Sequence, residues 1–190
     1  KGIKNSVIEK SLEIKPSFFE VVNKPKIKVN KKIFSEKIRN KKIIVTGGAG
    51  SIGSELTLEI LSHKPKKLYV IDNSELNLFN LIERLKNKKK YNTKRLSTIL
   101  GDCSDLNFLL NVFKKVTIDE IYHAAAYKHV NFGQENPYSM IKNNIFGTKN
   151  IIDFSISKKV KNFTFISSDK AVNPKSILGY SKKFGEKIIQ

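Results

Sequence analysis

The sequence predicts an α/β fold in which a doubly wound parallel sheet is covered by helices on both faces, and three observations carry that expectation. Short strand-like runs, such as Ile43-Ile44-Val45-Thr46 and Leu68-Tyr69-Val70-Ile71-Asp72, alternate with segments of helical spacing. The joins between them are short and rich in Gly, Asn, Asp and Pro. The first run turns through Gly47, Gly48, Gly50 and Gly53 straight into a helical pattern. Such alternation implies ligands bound beyond the carboxyl ends of the strands.

The elements follow in order. Residues 1–40 lack regular alternation and carry Pro16, Pro25 and many lysines, so they read as a lead-in, with a short helix over Ser35 to Arg39. Residues 41–190 read as one Rossmann-like domain. Its first helix spans Ser51 to Ser62 and closes at the His63-Lys64-Pro65 turn; its second spans Ser74 to Lys86, with Leu78, Leu81, Ile82 and Leu85 at helical spacing. Arg95 to Leu100 is a third strand, and Gly101-Asp102-Cys103-Ser104-Asp105 opens another helix. Ile118 to His123 is the fourth strand. A long helix from Pro137 to Ser157 carries Tyr138, Ile141, Ile145, Ile152 and Ile156 along one stripe, Val160 to Ser167 is the fifth strand, and Ser181 to Gln190 is helical. The chain begins at Lys1 rather than Met and stops inside that helical segment, which reads as a domain truncated at its C-terminal end.

Bulk properties narrow the function. At 190 residues the chain is long enough for one well-buried domain and short for a second one that holds a substrate. Thirty-six Lys+Arg against 17 Asp+Glu give a formal charge of +19. The lysines are scattered among Asn and Ile with no recognition helix or aromatic RNA-binding motif, so no specific nucleic-acid partner is expected. A basic surface does favour an acidic substrate such as a nucleotide diphosphate. Cys103 is alone, which rules out an internal disulfide and suits a reducing, cytoplasmic compartment. No apolar run is long enough to span a bilayer and there is no leader with a cleavage site. His123, His129 and Glu135 are not spaced as a metal site, and no metal is expected.

The glycine-rich turn is the strongest single signal. Gly47 and Gly48 allow a tight turn, Gly50 lets the backbone approach a phosphate, and Gly53 lets the new helix pack closely. The amides of Ser51 and Ile52, at the positive end of that helix, would face an anion. Asp72 lies 19 residues beyond Gly53, where an acid that binds a ribose is expected. The alternative reading makes Asp72 the cap of the helix that starts near Ser74. With the glycines it points to a dinucleotide, NAD in preference to NADP, because its charge would repel a 2′-phosphate.

Four further segments extend this reading: Gly101-Asp102, His123-Ala124-Ala125-Ala126-Tyr127-Lys128-His129-Val130, Asn143-Asn144-Ile145-Phe146-Gly147-Thr148, and Ile166-Ser167-Ser168-Asp169-Lys170-Ala171-Val172-Asn173-Pro174. Together with Thr46 to Glu55 they resemble the extended short-chain dehydrogenase/reductases, and more narrowly the CapD-type nucleotide-sugar 4,6-dehydratases of polysaccharide biosynthesis, which act on UDP-N-acetylglucosamine. The resemblance runs from about Ser17 to Gln190. It implies a UDP-sugar substrate, a C-terminal substrate-binding part absent from this chain, an N-terminal membrane domain tethering the parent protein to the inner face of the membrane, and room for a homo-oligomer.

The resemblance also assigns residues. The family's reaction moves a hydride from sugar C4 to NAD, eliminates water across C5 and C6, and returns the hydride to C6. Asp102, with Cys103 beside it, would meet the adenine; Ala124, Ala125 and Ala126 would place small side chains beside the cofactor, although close packing explains them equally well. Asn144 and Lys182 match family residues near the cofactor, and Lys128 and His129 match positions facing the substrate. Asp169 and Lys170 resemble the acid and base of the elimination, and Ser168 the hydroxyl at the C4 oxygen. One departure stands out. Where related enzymes place a tyrosine four residues before the lysine at Lys182, this chain has Leu178, which cannot take a proton; Tyr180 is two residues late. A 4-epimerase or a 5-inverting dehydratase on the same scaffold, and a truncated NAD-binding module without catalysis, are the rival readings.

Overall fold

The structure, a computed structural model, describes residues 30–86 and 91–190. The lead-in expected over residues 1–40 therefore lies largely outside the described residues; its last part is helix α1, Lys31–Ile38, starting before the Ser35 to Arg39 helix expected there. Residues 32–190 form one compact unit.

Five strands, β1 (Lys42–Thr46), β2 (Lys67–Asp72), β3 (Leu96–Leu100), β4 (Glu120–His123) and β5 (Asn162–Phe165), form a wholly parallel sheet in the order β3-β2-β1-β4-β5. The order reverses at β1, whose neighbours are β2 on one side and β4 on the other. That switch point opens a crevice beyond the carboxyl ends of β1 and β4, where Thr46 and His123 stand in register.

The centre of the sheet is buried on both faces because β1 and β2 carry apolar residues at odd and even positions alike, whereas the edge strand β5 exposes Asn162 and Thr164. Ile43 and Val45 join Leu68 and Val70 in a core closed by α2 (Ser51–Ser62) and α3 (Glu75–Lys86) through Leu58, Leu61, Leu78, Leu81 and Leu85. Ile44, Ile71 and Ile121 face the other core, with Leu109 of α4 (Leu106–Val112), Phe113, and Ile151 and Phe154 of α7 (Gly147–Ser157). Phe113 meets Tyr69 edge-on at 5.2 Å between ring centroids. Strand β1, buried from Ile43 to Thr46 between two apolar cores, gives the rigid floor on which the site stands.

Helix α2 spans the expected residues, and Ser74 caps α3 by accepting from Asn77 N–H at 3.3 Å. The other boundaries differ by a few residues. Helix α8 (Ile177–Ile189) starts four residues before Ser181 because Ser176 Oγ accepts from Gly179 N–H at 3.1 Å. A short helix α5 (Val130–Glu135) fills a stretch that the sequence left unassigned.

The largest correction concerns the long helix. Its α6 (Pro137–Ile141) and α7 segments are joined by a π turn at Lys142–Phe146. The expected apolar stripe does not face inward: Tyr138 is 76% and Ile156 70% exposed, and Ile141 is exposed too. Met140, Asn144, Thr148, Ile151 and Phe154 face inward instead. The π turn shifts the phase of the helix, and the polar residues on the inward face are bonded there, Thr148 Oγ1 donating to Asn144 O at 2.6 Å. Among the described residues no helix is long and apolar enough to cross a membrane.

Candidate active site

The glycine-rich turn sits at the end of β1. Gly47 has φ +61°, and a Cβ there would lie 2.6 Å from Ala125 Cα, so both the backbone angle and the segment that follows β4 demand glycine. At Gly53 a Cβ would overlap Gly47 O and sit 2.8 Å from Gly48 Cα. At Gly53, therefore, the first turn of α2 packs against the glycine turn itself. Gly48 is confined by the Val70 side chain, whereas a Cβ at Gly50 would meet only Gly47 O, at 3.3 Å, on the side of the cleft. The first-turn amides at Ser51, Ile52 and Gly53 have no helical carbonyl to bond and belong to residues that line this cleft.

Asp72 is buried, and both of its oxygens are engaged. Oδ2 accepts from Ala49 N–H and Oδ1 from Ser74 N–H, each at 3.0 Å. The carboxylate braces the glycine turn against β2, a role the sequence did not announce, and Ser74 does the capping. At the end of β3, Asp102 Oδ1 accepts from Ser104 N–H at 2.8 Å. Burial first, and then the charge of Asp102, push the Cys103 thiol up to about 12, so it is no nucleophile. Both residues line the cleft.

Ala124, Ala125 and Ala126 continue the wall from β4, and the close approach of Ala125 to Gly47 shows why small residues are needed there. Lys128 reaches across to the glycine turn, donating from Nζ to Ser51 Oγ at 3.0 Å. His129 lines the same wall and meets Phe132 edge-on. Asn144 is placed differently. It lies 2% exposed behind the wall, where its Oδ1 accepts from Tyr127 N–H at 2.8 Å and its Nδ2 donates to Tyr127 O and Ser181 Oγ, both at 3.0 Å. It holds the wall rather than forming it.

The far wall comes from the loop after β5 and from α8. Lys182 is buried, donates from Nζ to Ile166 O at 2.8 Å and lies 4.7 Å above the Phe165 ring. Burial lowers its pKa from 10.5 to about 8. Ser168, Lys170, Leu178 and Lys182 all line the cleft. Asp169 does not: its side chain is 89% exposed, accepts from Ser168 Oγ at 2.9 Å and lies 3.5 Å from Lys170 Nζ. The Ser168 hydroxyl foremost, then the Lys170 charge, hold its carboxyl below the usual range. Tyr180 is exposed and points away from the cleft wall, as its helical phase requires.

Helix α8 sets the height of this loop by one stripe of residues, Gly179, Lys182 and Glu186. Glu186 Oε1 accepts from Ser167 Oγ at 2.6 Å, Lys182 holds Ile166 O, and a Cβ at Gly179 would meet Lys170 O at 2.5 Å. Sequence reasoning missed Glu186 and Ser167; their spacing from Lys182 and Ser168 was the available signal.

These walls enclose one open cleft of about 1200 Å³ that runs from the glycine turn and Asp72 to Ser168, Lys170 and Lys182. Among the described residues no three His, Cys, Asp or Glu side chains cluster as metal ligands. The arrangement can hold an extended anionic ligand along the glycine turn. It also presents two amines and a hydroxyl to whatever occupies the other end.

Comparison with known proteins agrees with this geometry. The sequence model of the family described as polysaccharide biosynthesis protein matches residues 43–190. The capsular polysaccharide biosynthesis protein CapD of Staphylococcus aureus is 32% identical over 171 residues, 90% of this chain and 28% of that protein. A UDP-N-acetylglucosamine 4,6-dehydratase (inverting) of Campylobacter jejuni is 34% identical over 78% of this chain and 42% of its own length. The crystal structure of UDP-glucose 4-epimerase from Bifidobacterium longum in complex with NAD+ and UDP superposes with a TM-score of 0.66 at 26% identity, covering 78% of this chain and 48% of that one. The chain thus spans less than half the length of each of these three proteins.

Proposed function

The chain belongs to the polysaccharide biosynthesis protein family, and from that premise we propose that it is the coenzyme-binding part of a nucleotide-sugar 4,6-dehydratase that uses NAD and acts on UDP-N-acetylglucosamine. The observation that carries the reading is the single cleft, in which the glycine turn and the Ser168, Lys170 and Lys182 group share one continuous wall.

The residues fit a dinucleotide. Gly47 and Gly53 hold a turn that no side chain could enter, and Gly50 leaves open the space that a pyrophosphate needs. Lys128, bonded to Ser51 beside the first-turn amides of α2, adds a cation at the same place. Asp72 anchors the turn and stands where the ribose hydroxyls would come. The nicotinamide, when bound, supplies the acceptor and donor of hydride.

The chain's own groups supply positioning and proton transfer. Lys182 would anchor the ribose next to the nicotinamide and, with its pKa near 8, raise the acidity of neighbouring hydroxyls. Ser168 would bond the C4 oxygen of the sugar and relay its hydroxyl proton, as C4 is oxidised, to the Asp169 carboxylate that it bonds. Oxidation at C4 acidifies the C5 hydrogen, which Lys170 would remove. Asp169 is ionised while it faces water; a sugar nucleotide laid over this corner would desolvate it and raise its pKa, so that it could protonate the departing C6 hydroxyl.

Epimerisation at C4 is the second reading, favoured by the likeness to the B. longum enzyme. Leu178 argues against it, because it occupies the cleft wall where a phenol would have to stand. NMR of the sugar after incubation of the parent protein, extended past Gln190, with NAD and UDP-N-acetylglucosamine tests the choice. A C6 methyl group with a C4 ketone or its hydrate is the expected product. Conversion to the C4 epimer alone would overturn the dehydratase reading, and separate titrations that find NAD bound but no UDP-sugar would reduce the chain to a binding module.

A further inference from the structure

His123 is 1% exposed, yet both of its ring nitrogens have partners: Nδ1 lies 2.6 Å from Thr46 Oγ1 and Nε2 lies 3.0 Å from Thr148 Oγ1. Counting hydrogens decides which nitrogen carries the proton. Thr148 has one hydroxyl hydrogen and donates it to Asn144 O, which can only accept. Thr148 must then accept from His123, so Nε2 bears the hydrogen. The ring lies beside apolar neighbours, 5.8 Å from Phe165 and 6.1 Å from Phe163 between centroids. Burial first, and the charge of Lys182 second, lower its pKa to about 3 and keep it neutral. A neutral ring protonated at Nε2 has a bare Nδ1, which accepts from the Thr46 hydroxyl.

The result is a chain with one direction, from Thr46 through His123 and Thr148 to the carbonyl of Asn144 in the π turn. Beyond it the Asn144 amide grips both backbone groups of Tyr127, one residue before Lys128, and also Ser181, one residue before Lys182. We infer that His123 is a positioning residue, held as the neutral Nε2–H tautomer, whose hydrogen-bond chain fixes the π turn and through Asn144 sets the Tyr127 wall of the cleft. Fully satisfied buried networks specify one geometry, and reversing any link here would leave two donors or two acceptors facing each other. The inference concerns how the cleft is held and stands whether the enzyme is a dehydratase or an epimerase.

Long-range proton–nitrogen NMR of the labelled chain tests it directly. The protein has three histidines, and the signal lost in His123→Phe identifies the one in question. The expected spectrum shows a protonated Nε2 and a bare Nδ1, unchanged from pH 8 to pH 5. The opposite tautomer, or conversion to the cation within that range, would overturn the inference. Two substitutions then separate positioning from space-filling. Thr148→Ser keeps the hydroxyl and should leave amide exchange at Tyr127 within about twofold of the parent; Thr148→Val keeps the volume and should speed it by about tenfold, the equivalent of one lost hydrogen bond. Equal exchange in the two variants, or slower exchange in the valine one, would overturn the positioning role. Should Thr148→Val fail to fold, the tautomer in the unaltered chain and the serine variant still decide.

Discussion

At the glycine-turn end of the cleft the turn and Asp72 are held by backbone amides and close packing, whereas at the β5 end Asp169 and Lys170 stand exposed on the short turn Asp169–Ala171. Asp72 is buried with both oxygens bonded to backbone amides; Asp169 is 89% exposed and bonded only within its own turn. The same side chain thus serves as a brace in one place and, in the proposed reaction, as a reagent in the other. A coenzyme that is bound in every cycle calls for a surface organised before it arrives. Groups that must change protonation call for a place where a substrate can alter their surroundings.

The comparison is broken most directly at Gly53. Its Cβ would overlap Gly47 O, with Gly48 Cα at 2.8 Å, and none of those atoms belongs to a flexible side chain. Gly53→Ala is expected to destabilise the fold by roughly 3 kcal/mol in urea unfolding and to abolish NAD binding. An alanine variant with a parental midpoint and affinity would show that the turn is not preorganised.

Asp72 comes next. Asp72→Ala leaves the Ala49 and Ser74 amides without their acceptor and is expected to cost about 2 kcal/mol, while Asp72→Asn, which retains one oxygen, is expected to cost about half of that. Both should weaken NAD binding measured by calorimetry. A loss of affinity with no loss of stability would mean that the carboxylate serves only the ribose and does not brace the turn.

Lys182 joins the two ends and has a pH signature. Its folded pKa, about 8, lies below the ordinary 10.5 because burial penalises the ammonium. Between these values the unfolded chain holds a proton that the folded chain has released, so stability should rise with pH from 8 to 10.5, by at most about 1.4 kcal/mol per pH unit. Lys182→Met should flatten that rise in urea midpoints measured across the range. An identical slope in the methionine variant would mean that the amine is solvated and that its wall of the cleft resembles the exposed end.

How legible each region is in the sequence follows the same division. The turn and α2 could be read residue by residue because their requirements are local: a positive φ at Gly47, close approach at Gly53, and a proline soon after the last helical residue. The Ser168 to Lys170 segment could be found from its chemistry, yet the solvent-facing position of Asp169 could not, since it depends on where α8 holds the loop. The π turn was least legible. Periodicity put Tyr138 and Ile156 on the apolar stripe, and the fold exposes both while it buries Asn144 and Thr148. An inward polar residue is stable only with its tertiary partners in place, and Asn144 finds those in Tyr127 and Ser181, 17 and 37 residues away.

The smallest effect on stability is expected at the exposed end, where the effect on chemistry is greatest. Asp169 is open to water and its pairing with Lys170 at 3.5 Å is a surface contact, so Asp169→Asn and Lys170→Met should each stay within about 0.5 kcal/mol of the parent in urea unfolding. NAD binding should be equally indifferent, because neither side chain approaches the glycine turn. Turnover of UDP-N-acetylglucosamine should fall by about a hundredfold or more in each, the usual contribution of a positioned acid or base. Activity that survives both substitutions would move the proton transfers to other groups on this wall, with Ser168 and Lys182 the next to test. A large loss of stability in either variant would instead show that the turn is a structural element, and the contrast between the two ends of the cleft would disappear.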